Sequence, residues 1–121
     1  MLTQAQKKYL FAIYTLGKNG AGVKSTDVSD IVGVSKASTV KMTKRLCEDG
    51  YILKEHYGCI ILTPEGTREA NRLYTKWLII SDFLRERVGV TEQLAEKDSI
   101  KIVAHLSEDT TEKLLTYILG G

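Results

Sequence analysis

Apolar positions along this chain recur three and four residues apart in several stretches; between residues 51 and 62 they form instead two short runs that alternate only imperfectly. Tyr9, Leu10, Ile13, Tyr14 and Leu16, with Ala5 and Ala12, draw the first stripe. It predicts a helix from Thr3 to about Gly17, with Thr3 and Gln6 placed as a capping box. The run Lys18-Asn-Gly-Ala-Gly22 ends it, and Val23-Lys24 is a short extended piece suited to a third strand. Val28, Ile31 and Val32 mark the inner side of a short helix. It starts at Ser25 or Thr26, whose hydroxyls suit a cap, and stops at Gly33, where a tight turn needs the left-handed conformation. Ser35 caps the next helix, with Thr39, Met42, Thr43 and Leu46 inward, Val40 and Cys47 flanking, and Asp49-Gly50 at its end. Hydroxyls buried at Thr39 and Thr43 need partners, which the preceding turn can supply.

From Tyr51 to His56 and from Cys59 to Leu62 the pattern is a hairpin turning at Tyr57-Gly58. Thr63 then suits an N-cap and Pro64 a first helical position. The helix they open carries Ala70, Leu73, Tyr74, Trp77, Leu78, Ile80, Phe83, Leu84 and Val88 and runs to about Arg87. Apolar on more than one side, it is long enough to connect one body to another. Gly89-Val-Thr91 breaks it. Thr91 caps a helix to Leu106, with Leu94, Ile102, Val103 and Leu106 inward. A last helix opens at Ser107 with acids at its positive end and carries Thr111, Leu114, Leu115, Ile118 and Leu119. The fold class expected is mainly α with a small β-wing. A winged helix-turn-helix over residues 1–63 is followed, over 64–121, by a connector helix and a two-helix dimerisation region.

Charge sharpens that division. Residues 1–63 hold nine Lys/Arg against five Asp/Glu, a net +4; residues 64–121 hold eight against ten, a net −2. The basic half is the one with the helix-turn-helix, as an electrostatic footprint for phosphate requires. Cys47 and Cys59 are too far apart for a metal-type pair, no apolar run approaches membrane length, and the N-terminus shows no secretory pattern. A cytoplasmic protein with reduced thiols, no membrane partner and no cofactor is the expectation. An enzyme is not: there is no phosphate loop, no nucleophile beside a base, and only His56 and His105, far apart in sequence.

The second helix of the helix-turn-helix is the one that enters a DNA major groove. Here it bears Lys36, Lys41, Lys44 and Arg45 and no acid before Glu48. Small side chains near its start let the backbone approach base edges, and long cations reach phosphates. Ala37, Ser38 and Lys41 are therefore the candidates for base contact. Ser35, Lys36, Lys44 and Arg45 are the candidates for phosphate, with Thr26 on the preceding helix. Lys54 and Tyr57, beside His56, would serve from the wing. The opposing readings are a winged-helix protein–protein adaptor without a DNA role, and a regulator sensing a small molecule.

Tyr9-Leu-Phe-Ala-Ile-Tyr-Thr-Leu16, Val28-Ser-Asp-Ile-Val-Gly-Val-Ser35, Val40-Lys-Met-Thr-Lys-Arg-Leu46, Gly50-Tyr51-Ile52, Leu62-Thr-Pro-Glu-Gly66 and His105-Leu-Ser107, taken in order, resemble the metal-dependent repressors of the diphtheria toxin repressor and manganese transport regulator family. The resemblance covers nearly the whole chain. It implies a homodimer, joined through its C-terminal helices, on a palindromic double-stranded DNA operator. It also implies a divalent metal held between the first, fourth and fifth helices. At the positions where that family places its ligands stand Lys8, Phe11, Trp77, Ile100, Val103 and Ala104, with His105 alone beside them. None supplies what a transition-metal dication needs, so a metal-independent member of that shape is expected.

Overall fold

The computed structural model describes residues 2–17, 22–55 and 58–120. Its order is α1 (Gln4–Leu16), β1 (Val23–Lys24), α2 (Ser25–Val32), α3 (Lys36–Glu48), β2 (Ile52–Lys54), β3 (Cys59–Leu62), α4 (Pro64–Phe83), α5 (Glu92–His105) and α6 (Glu108–Gly120). The chain divides into two compact units, residues 1–71 and 72–121, with α4 running across the boundary. It is a mainly helical winged helix-turn-helix followed by further helices, as the hydrophobic pattern predicts.

In the first unit Leu10, Ile13, Val28, Leu46, Ile52 and Ile60 are buried and form the core. The expected capping box closes α1: Thr3 Oγ1 accepts from the Gln6 N–H at 3.1 Å, and Gln6 Oε1 accepts from the Thr3 N–H at 3.0 Å. The antiparallel sheet has the order β1-β3-β2, with Val23 opposite Ile60 and Ile52 opposite Leu62. Val23-Lys24 is thus the third strand. Gly33 ends α2 at φ 78°, in the left-handed region where a side chain would be strained. Helix α2 starts at Ser25 as expected, but without the expected hydroxyl cap. Its cap is Lys24, with no side-chain hydrogen bond, and Ser25 already lies within the helix. Ile31 differs too: it is 60% exposed. The inner arc of α2 is set by Val28 and Ser29, and a residue two positions beyond Ser29 falls well outside that arc.

The turn after α3 is clasped to the start of α4. The Thr63 hydroxyl donates to the Gly50 carbonyl at 2.7 Å and accepts from the Gly66 N–H at 3.0 Å, while the Thr63 N–H donates to the Tyr51 carbonyl at 3.1 Å. Gly66 is buried in this clasp, and a Cβ there would overlap the Tyr51 carbonyl oxygen.

In the second unit α4 widens over Leu84–Val88 into a π-helical turn, closed by Gly89 at φ 89°. Arg87 lies over the Phe83 ring and donates to the Ile118 carbonyl at 3.0 Å, tying this turn to α6. The inward face of α5 is Ala95, Ser99, Val103 and Ala104. The expected Leu94 and Leu106 are exposed instead, and Ile102 is half-buried. Small residues at the contact line let a helix approach its neighbour closely, so the bulkier Leu94, one position earlier, is turned out; Leu106 has already left the helix in extended backbone. Thr91 stands at the cap position of α5, but its side chain makes no cap bond. Leu119, expected inward, is 70% exposed, one step round α6 from the buried Ile118.

Gly66→Ala is expected to destabilise the first unit by about 1–3 kcal/mol, the usual range for forcing extra atoms into a packed site. Denaturant unfolding of the full chain, followed by circular dichroism, checks this; an unchanged midpoint would show that the clasp yields.

Candidate nucleic-acid interface

The two faces of α3 are chemically opposed. On the inside, Thr39 and Thr43 are fully buried beside Leu46. The Thr39 hydroxyl donates to the Ser35 carbonyl at 3.2 Å and accepts from Ser29 Oγ at 2.7 Å, and the Tyr9 hydroxyl lies 3.5 Å away. Three helices therefore meet at one buried oxygen. Thr43 donates back to the Val40 carbonyl at 3.1 Å. Back-bonding to the preceding turn is what the sequence predicts for these threonines; the cross-helix partner, Ser29, carries no periodic signal and went unforeseen.

Both ends of α3 are also fixed. Ser35 Oγ accepts from the Ser38 N–H at 3.1 Å, the expected cap. At the other end Gln6, buried by the capping box of α1, donates through Nε2 to the Asp49 carboxylate at 2.8 Å. Asp49 also faces Arg45 at 3.9 Å, an exposed pair that holds the guanidinium only loosely. The Tyr51 phenol is raised above its ordinary range, first by burial and then by the carboxylates of Glu69, Glu65 and Asp49. That acidic ground marks where the cationic face of α3 ends.

On the outside, Ser35, Lys36, Ala37, Ser38, Lys41, Lys44 and Arg45 are all exposed, as is Thr26 on α2. Lys54 is exposed at the end of β2. Tyr57 and its neighbour His56 lie outside the described residues. The face also includes Val40, 54% exposed, which a hydropathy reading assigns to the flank of the core.

At the positions where the family resemblance puts metal ligands, the chemistry does not suit a dication. Lys8 ends in an ammonium, and Phe11, Ile100, Val103 and Ala104 end in carbon. Trp77 offers only an indole N–H, which donates to the Glu96 carbonyl at 2.9 Å. Among the described residues no three His, Cys, Asp or Glu side chains gather in a way that could hold an ion. These residues do not fit a divalent metal.

Comparison with known proteins bears on the fold and the family. The family model described as the N-terminal DNA-binding domain of iron-dependent repressors matches residues 1–60. An uncharacterised HTH-type transcriptional regulator of Methanocaldococcus jannaschii is 30% identical over 118 residues, covering 97% of this chain and 94% of that protein. The HTH-type transcriptional regulator MntR of Lysinibacillus sphaericus is 30% identical over 114 residues, covering 94% of this chain and 81% of that one. Among solved structures, T. acidophilum IdeR superposes with a TM-score of 0.79 at 22% identity, over 100% of this chain and 55% of that one. The manganese regulator SloR gives 0.77 at 22%, over 99% and 54%. The chain thus spans about half the length of these two structures, and at such identity the likeness speaks for the fold alone.

Thr39→Val removes the shared oxygen while keeping the volume. It is expected to lower the unfolding free energy by about 1 kcal/mol, because the cross-helix bond from Ser29 is lost while the Ser29 hydroxyl keeps the Ser25 carbonyl at 3.0 Å. Thr39→Ser should retain most of the bonding; equal stability of the valine variant and the parent in urea melts would contradict the role given to this oxygen.

Proposed function

This chain belongs to the iron-dependent repressor family of DNA-binding transcriptional regulators, and on that premise we propose that it acts as a homodimer and without a divalent metal. The observation that carries the DNA reading is the outer face of α3, where four cations stand exposed on a helix whose inner face is pinned by buried hydrogen bonds. Within it, Ala37, Ser38 and Lys41 address base edges, and Ser35, Lys36, Lys44 and Arg45 address phosphates, with Thr26 from α2 and Lys54 and Tyr57 from the wing. On this reading the DNA-binding domain is residues 1–63, and residues 64–121 supply the connector and the dimer contact. Exposed Leu94, Tyr117 and Leu119 on α5 and α6 give that contact apolar surface to bury. No helix is long and apolar enough to cross a membrane among the described residues, and a regulator of this kind works on DNA in the cytoplasm without chemistry of its own.

Binding to random duplex in a mobility-shift assay should weaken steeply with added salt, since each phosphate contact releases counterions. Lys44→Ala should weaken all sequences alike and reduce the salt slope by about one, whereas Lys41→Ala should change which sequences are preferred. Binding that is weak and flat across salt would instead favour a protein–protein adaptor. The metal-free state should be complete in itself. In excess chelator the chain should sediment as a dimer, and added Mn²⁺, Fe²⁺ or Zn²⁺ should leave its melting temperature unmoved. Stoichiometric metal binding with a large rise in Tm, or a monomer at micromolar concentration, would contradict this part of the reading.

A further inference from the structure

Helix α3 puts hydroxyls inside and a hydrocarbon outside. Thr39 and Thr43 are fully buried, while Val40, between the two, is 54% exposed. A β-branched residue is a poorer helix former than alanine or lysine, and it gains nothing from burial at a solvated position. Val40 is not isolated on its surface. Ala37, Val40, Lys41 and Lys44 stand three, four and seven residues apart, which places them along one face of the helix. Apolar surface at Ala37 and Val40 is thus interleaved with the cations Lys41 and Lys44, and Lys36 and Arg45 lie beside them, all exposed.

Charge complementarity selects the occupant. A face with four cations and no acid before Glu48 suits a polyanion, and the apolar strip within it suits a polyanion with a hydrocarbon group on its recognition floor. Duplex DNA meets both conditions. In the major groove, thymine is marked by its C5-methyl group, and small apolar side chains recognise it by contact.

Resting on the reading that α3 enters the major groove, we propose that Val40 is a specificity-determining residue that packs against the C5-methyl of a thymine. Lys41 reads a base edge beside it, and Ala37, one turn earlier, is small enough to let the helix come close. The chain then selects thymine at that step by carbon contact, separately from the hydrogen-bonding readout.

The test uses the full chain. Duplexes are enriched from a random pool, and the best is resynthesised with deoxyuridine replacing thymidine at one position at a time, which deletes only the methyl. At one thymine in each half-site the parent chain should lose about fourfold in affinity, the value of one buried carbon. Val40→Ala should bind the thymine duplex more weakly and show no further loss on uracil at that position, while responding to uracil elsewhere as the parent does. Because Val40 is exposed and alanine is the better helix former, its melting temperature should equal or slightly exceed the parent's, so the loss reads the interface and not the fold. An equal uracil penalty in parent and variant, or no penalty at any thymine in the parent, overturns the proposal and leaves the DNA reading standing. Failure of any duplex to bind in a salt-dependent way overturns the DNA reading and this proposal with it.

Discussion

A single buried oxygen, Thr39 Oγ1, holds the two helices of the helix-turn-helix in register. It takes a hydrogen bond from Ser29 on α2, gives one to the Ser35 carbonyl at the head of its own helix, and lies beside the Tyr9 hydroxyl of α1. An apolar contact at this point would tolerate rotation and sliding, because dispersion is non-directional and shallow. A hydrogen bond in a dry interior does not, since it is directional and weakens steeply when its donor and acceptor move out of line. Reading base edges demands placement to within about 0.5 Å, which a hydroxyl-pinned helix can meet.

The far end of α3 is held by a different set of groups. Gln6 reaches Asp49 from α1, and Thr63 reaches the Gly50 carbonyl from the start of α4. The second contact depends on the missing side chain at Gly66, since any Cβ would occupy the space of the Tyr51 carbonyl. With orientation settled from within, the outer face of α3 is released from any structural duty. Its cations are free to be chosen for what they meet outside, and even a valine is tolerated there.

The second unit is built on close helix packing. Ala95, Ser99, Val103 and Ala104 line the inner side of α5, and Trp77 anchors to the Glu96 carbonyl. Where the family resemblance would place a metal, this chain has an ammonium, an indole and hydrocarbon. An ion organises its ligands only if they carry lone pairs to give, and these do not. On the proposed metal-independent reading, the regulator takes its geometry from covalent structure and packing, with DNA as the ligand its exposed charge is suited to.

The order of elements was legible in the chain itself. Thr3 with Gln6, Ser35 and Thr63-Pro64 announce three helix starts, Gly33 and Gly50 announce two stops, and the cations of α3 stand out because no acid interrupts them before Glu48. These are local signals, set by the four orphan amides of a helix end and by the torsional freedom of glycine, so neighbouring residues suffice to read them. Which residues face inward was decided only in three dimensions. Ile31, Leu94 and Leu119 are as apolar as any core residue, yet they point outward, while Gln6, Ser29 and Ser99 lie within. Hydropathy ranks side chains one at a time. The folded chain ranks them by whether a small atom lets two helices touch and whether a polar one finds a partner far away in sequence, as Ser29 finds Thr39 and Gln6 finds Asp49.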